Sequence, residues 1–101
     1  VKGARIISLP SFCDLRGDLS VGEFNSILPF TPCRYFLVYN VPSKETRGAH
    51  AHKECHQFLN CISGSVRIYV DDGEANDEYI LESPTMGLLI PAGVWASQYQ
   101  S

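Results

Sequence analysis

Two histidines, His50 and His52, are the side chains of this 101-residue chain best placed by type and spacing to do chemistry. Imidazole titrates near neutrality, so it can take up and return a proton at physiological pH. Residues i and i+2 of a strand point to the same face. If the strand lines a hollow, both rings can converge on one bound molecule. They stand in the run Arg47-Gly48-Ala49-His50-Ala51-His52-Lys53-Glu54-Cys55-His56-Gln57, and Gly64 follows. A further turn-forming run, Pro91-Ala92-Gly93-Val94-Trp95-Ala96, comes later in the chain. His56 and Gln57 are neighbours, and neighbours on a strand face opposite sides, so the two compete for one inward direction. The plain alternative for the pair is two surface histidines at a strand end.

The elements that must position these residues read as strands. Ala4 to Leu9 predicts a strand ended by Pro10, and Asp14 to Asp18 a turn. Leu19 to Phe24 is a second strand candidate, and Pro29 to Pro32 a break. Cys33 to Val41 is rich in aromatic and β-branched residues and predicts a strand, with Pro42 to Thr46 as a polar loop. Arg47 to His52 opens another strand. Gln57 to Ile62, Ser63-Gly64 and Ser65 to Val70 together read as a hairpin. Asp71-Asp72-Gly73 carries the aspartate–glycine chemistry of a tight turn. Tyr79 to Leu81 and Met86 to Ile90 are the last clear strands, and Pro91-Ala92-Gly93 makes a further turn. Many short strands between closely spaced turns predict an all-β sandwich or barrel.

Length predicts a single domain over residues 1–101, with no internal repeat or linker. Apolar residues are 45% and charged residues 19%, the balance of a globular chain. The net charge of −3 and the scattered basic residues argue against a nucleic-acid partner. No apolar run approaches membrane-spanning length. The start, Val1-Lys2-Gly3-Ala4-Arg5, is no secretory signal, and its lack of Met suggests a processed or excised piece. Cys13, Cys33, Cys55 and Cys61 form no C-x-x-C pair and sit in apolar segments. There they behave as small hydrophobes, and the expectation is free thiols in the cytoplasm rather than two disulfides.

The histidine run resembles the first half of the cupin signature, and Pro91-Ala92-Gly93 the second. The acid position of the first half holds Gln57, and the histidine position of the second holds Ala96. A metal site needs about three or four protein ligands, usually histidine and carboxylate. Gln57 is a weak neutral ligand and Ala96 is none, so no metal is expected. The wider pattern is similar to the cupin-type dTDP-4-keto-6-deoxyglucose 3,4-ketoisomerases. It comprises Asp14-x-Arg16-Gly17-x-Leu19 with Glu23, Pro29-Phe30, Arg34-Tyr35, Arg47-Gly48-x-His50-Ala51-His52-Lys53, Gln57-Phe58-Leu59 and Gly64. Asp72-Gly73, Pro84, Gly87-Leu88 and Trp95 complete it. Those enzymes continue past the tryptophan into further strands and form dimers with exchanged strands. Similar domains also occur fused to acetyltransferases of amino sugars.

The resemblance implies a cupin, or jelly-roll, barrel of short antiparallel strands. It implies an isomerase without cofactor that moves the ketone of a dTDP-linked 4-keto-6-deoxyglucose from C4 to C3. The site residues it implies are His50 as base at carbon, His52 as oxygen-proton shuttle and Tyr35 as donor to the sugar. Arg16, Arg47 and Arg34 are the candidates for the diphosphate, where a planar multi-donor cation suits better than lysine. Gln57 would bond a sugar hydroxyl, and Trp95 would stack on the base or fill the barrel mouth. The expected partners are the dTDP-sugar and a second copy in a homodimer, with strand exchange as the family pattern, in the cytoplasm. Three alternatives stay open: a dTDP-sugar 3,5-epimerase, a metal-dependent cupin and a non-catalytic sugar-binding cupin.

Overall fold

The computed structural model describes residues 3–32, 35, 47–51 and 55–99, with the backbone alone at 47–51 and 99. Among them are nine strands and no helix. The strands are β1 (Arg5–Ser8), β2 (Ser11–Asp14), β3 (Gly17–Ser20), β4 (Arg47–Ala51) and β5 (Gln57–Asn60). They continue as β6 (Val66–Asp71), β7 (Asn76–Leu81), β8 (Met86–Ile90) and β9 (Trp95–Tyr99). Three sheets form, in the orders β1-β8-β5, β2-β3 and β4-β9-β6-β7. Every strand pairing is antiparallel.

The two larger sheets face each other across one core, the arrangement of a jelly roll. Ile68 and Val70 of β6, Leu81 of β7 and Ala96 of β9 meet Leu88 and Ile90 of β8, with Ala4 and Val94 at the margins. Burying each of the larger side chains is worth about 1.5–3 kcal/mol. Alternation in β6 makes its inward residues legible: Ile68 and Val70 are fully buried, while Arg67 before them and Tyr69 between them are half-buried. By contrast, β8 is buried from Gly87 to Ile90 because it is the central strand of its sheet and both its faces are covered. Leu88 and Ile90 face the core, and on the other side the Phe58 ring lies over Gly87, where a Cβ would collide with it.

The β6–β7 connection is the expected aspartate–glycine turn. Asp72 Oδ1 accepts from the N–H groups of Glu74 (2.9 Å) and Ala75 (2.8 Å), and Gly73 takes a positive φ of 92°.

Other expectations need correction. Residues 57–62 and 65–70 do not form a hairpin. β5 pairs with β8, whereas β6 pairs with β7 and β9. The link around Ser63-Gly64 carries the chain from one sheet to the other, and the Cys61 thiol donates to the Ser63 carbonyl at 3.3 Å within it. The expected strand at Leu19 to Phe24 ends early, because a two-residue turn lets β3 start at Gly17, which pairs with Asp14. Phe24 makes only a single bridge to Leu28. Ser11–Asp14 is a strand that the sequence reading did not anticipate. Cys61 is half-buried against the core as expected, but Cys13 and Cys55 are exposed free thiols. The expected strand from Cys33 to Val41 lies outside the described residues except for Tyr35.

The β2–β3 hairpin leaves both strands exposed. Phe12 and Leu19 are cross-strand partners, each 60% exposed, and Leu15 at the tip is fully exposed.

Candidate active site

The backbone of β4 carries the first histidine into the four-stranded sheet. Its partner is β9, with Arg47 opposite Gln98, His50 opposite Ala96 and Ala51 opposite Trp95. The register shifts between Arg47 and His50. Between those pairs, two residues on β4 (Gly48 and Ala49) oppose one on β9 (Ser97), the count of a β-bulge, which re-aims a strand locally. Ala96 in turn faces Val70 across β6. Ala96 is 2% exposed and Val70 is fully buried, so this cross-strand row is the interior one.

On the facing sheet, β5 pairs with β8 so that Gln57 stands opposite Ile90 and Leu59 opposite Leu88. Ile90 and Leu88 belong to the core, so Gln57 takes the inward direction and is half-buried. His56 points the other way. Its ring lies 5.9 Å from that of Phe30, tilted by 46°, and its Nδ1 accepts the N–H of Ala92 at 3.2 Å. With Gly3, Arg5, Pro29, Leu89 and Pro91 these rings line a cleft of about 380 Å³ on the outer side of that sheet. The competition between His56 and Gln57 is thus decided for Gln57.

The remaining candidates are dispersed in the single chain. Arg16, at the tip of the β2–β3 hairpin, is almost wholly exposed and donates from Nη2 to Asp14 Oδ2 at 2.8 Å. Its backbone N–H donates to Asp14 Oδ1 at 2.7 Å, and the two bonds hold the Asp14 carboxyl below its usual range. This carboxylate partner went unnoticed in the sequence, although aspartate two residues before a turn residue commonly accepts that backbone N–H. Tyr35 is 87% exposed. Trp95, adjacent to inward Ala96, lies on the outer face of β9 and is 44% exposed. His52 and Arg34 lie outside the described residues, as do the side chains of His50 and Arg47. No helix among the described residues is long and apolar enough to cross a membrane.

Comparison with known proteins places this geometry. The family model described as FdtA: WxcM-like, C-terminal matches residues 2–101. The TDP-4-oxo-6-deoxy-alpha-D-glucose-3,4-oxoisomerase of Aneurinibacillus thermoaerophilus is 37% identical over 91 residues, 90% of this chain and 66% of that protein. Among solved structures, a histidine-to-asparagine variant of the QdtA 3,4-ketoisomerase from Thermoanaerobacterium thermosaccharolyticum, in complex with TDP-4-keto-6-deoxyglucose, superposes with a TM-score of 0.93. It is 29% identical, over 99% of this chain and 72% of that one. The WlaRB TDP-quinovose 3,4-ketoisomerase of Campylobacter jejuni gives the same TM-score at 33% identity, over 99% of this chain and 77% of that one. The chain therefore spans roughly two-thirds to three-quarters of the length of these relatives. A match over residues 2–101, joined to an all-antiparallel jelly roll shared with sugar ketoisomerases, makes this chain a member of the FdtA family with a cupin-type fold.

Proposed function

We propose that this chain is a nucleotide-sugar 3,4-ketoisomerase acting on dTDP-4-keto-6-deoxyglucose. The observation that carries the reading is the interior row. His50 is registered opposite buried Ala96, and Gln57 takes the inward position on the facing sheet. Of the relatives above, the Aneurinibacillus thermoaerophilus protein and WlaRB are named as isomerases of TDP-linked sugars.

In this reading His50 removes the proton from C3, and the electron pair forms the C3=C4 bond of an enediolate. O4 gains a proton while O3 loses one, with His52 carrying it between the oxygens. Protonation of C4 then leaves the ketone at C3. The atoms and electrons balance within the sugar, so no external oxidant enters. Hydrogen-bond donors aimed at the developing oxyanion would lower the barrier, which is the role given to Tyr35. Gln57 bonds a sugar hydroxyl without adding charge. Arg16, Arg34 and Arg47 serve the diphosphate, and Trp95, on the outer face of β9, is left with stacking on the base rather than filling the interior. The donor set is poor for a metal, since Gln57 and Ala96 stand where a cupin centre has its acid and its last histidine.

The same reading makes the protein a cytoplasmic homodimer. Exposed Phe12, Leu15 and Leu19 support a hairpin that docks on a second copy, which would carry Arg16 and its neighbours toward the partner's site. The free thiols of Cys13, Cys55 and Cys61 fit a reducing compartment.

NMR of dTDP-4-keto-6-deoxyglucose incubated with the protein in heavy water tests the reaction. The expected result is a ketone that moves to C3 with deuterium at C4 of the product, and deuterium at C3 only in substrate re-formed by reversal. Exchange at C5 would make the chain a 3,5-epimerase. Tight binding with no exchange would make it a sugar-binding cupin.

A further inference from the structure

The turn between β8 and β9 is gripped from two sides. Gly3, with φ of 85°, packs so closely that a Cβ there would come within 2.9 Å of Pro91 Cγ. Across the turn, the Ala92 N–H donates to His56 Nδ1 at 3.2 Å. Within the turn the Val94 N–H donates to the Pro91 carbonyl at 3.4 Å, and Gly93 takes a φ of 84°. β9 begins immediately afterwards at Trp95, and its second residue is Ala96, the partner of His50.

We propose that His56 is a positioning residue of the isomerase site: by accepting the Ala92 N–H it fixes where β9 starts, and so holds the strand that sets the place of β4. The bond also joins the two walls of the interior. His56 immediately precedes Gln57, the inward residue of β5, while Ala92 leads into the strand paired with His50. Its catalytic consequence rests on the ketoisomerase reading; the mechanical tie does not. An imidazole accepts at Nδ1 only while that nitrogen carries no proton, and the doubly protonated ring has no acceptor at all. The acceptor at Nδ1 is therefore what holds the turn.

Three substitutions separate the roles of the two ring nitrogens. His56→Ala removes the acceptor, His56→Asn places an oxygen near the Nδ1 position, and His56→Gln places one near Nε2. In the full protein, His56→Ala should lower the exchange protection of the Ala92 amide by about tenfold and kcat by about fivefold, the worth of one hydrogen bond, with KM little changed. His56→Asn should restore both, and His56→Gln should not. Unchanged Ala92 protection in His56→Ala, or equal behaviour of the Asn and Gln variants, overturns the positioning role. If the exchange pattern appears but the unsubstituted protein isomerises no sugar, the tie stands and the assigned reaction fails.

Discussion

Ala96 stands directly opposite His50 in the β4–β9 ladder and opposite Val70 in the β9–β6 ladder, at the centre of the interior row. A methyl group is all that this position contributes, and it is 2% exposed. Enlarging it fills space that both the core and the neighbourhood of position 50 use. Ala96→Leu should destabilise the fold by about 1–3 kcal/mol, as overpacking of a filled core does. It should also slow isomerisation more than it weakens dTDP binding. Thermal melts, titration calorimetry with dTDP and the isomerisation rate measure the three effects.

His50→Asn removes the proposed base and keeps a polar side chain of similar reach. Isomerisation should fall by at least about 100-fold, the usual worth of a general base. Binding of dTDP, followed by calorimetry, should stay within a few-fold. Loss of binding by a folded variant would make His50 a ligand contact instead.

Asp14 and Arg16 form an exposed pair whose side chains meet at 2.8 Å. The pairing lowers the folded pKa of Asp14, so its contribution is present above the unfolded carboxylate range. It is lost only as pH falls through the lowered value in acid solution. Arg16→Gln should shift the NMR titration midpoint of the Asp14 carboxyl upward, toward its ordinary value, and leave stability at neutral pH nearly unchanged. If Arg16 reaches the diphosphate, the same variant should weaken dTDP binding by about tenfold, the loss expected for one charge-assisted contact.

Gly87 lies beneath the Phe58 ring, and the contact leaves no room for a side chain. Gly87→Ala should cost about 1–3 kcal/mol of stability. Pairing it with Phe58→Leu should cost less than the sum of the two single changes, because the smaller side chain vacates the space. A four-member set of denaturant melts reads this coupling directly.

Phe12 and Leu19 present an apolar pair on the outward hairpin. Replacing both by Ser should leave the core intact, since neither touches it, and should shift a homodimer toward monomer in sedimentation. A double variant that sediments unchanged would remove the hairpin from the subunit interface.

Much of the fold is legible along the chain because local chemistry suffices. Alternating residues in Val66–Asp71, the Asp72-Gly73 turn and the apolar run Met86–Ile90 each announce their element, since burial on one face or on two leaves its own pattern. The spacing of His50 and His52, with Gln57, Gly64 and Pro91-Ala92-Gly93 at their distances, is likewise a property of the sequence, and so is the absence of a ligand at Ala96. Pairing is not, because a two-residue period says which side a residue faces but not which strand lies beside it. Gln57–Asn60 and Val66–Asp71 look like the arms of one hairpin, yet long-range ladders send them to different sheets. Only that topology chose Gln57 over His56 for the interior, set Ala96 beside His50, and turned His56 outward to hold Ala92. Those relations join residues distant in sequence, and they exist only once both sheets have closed on their shared core.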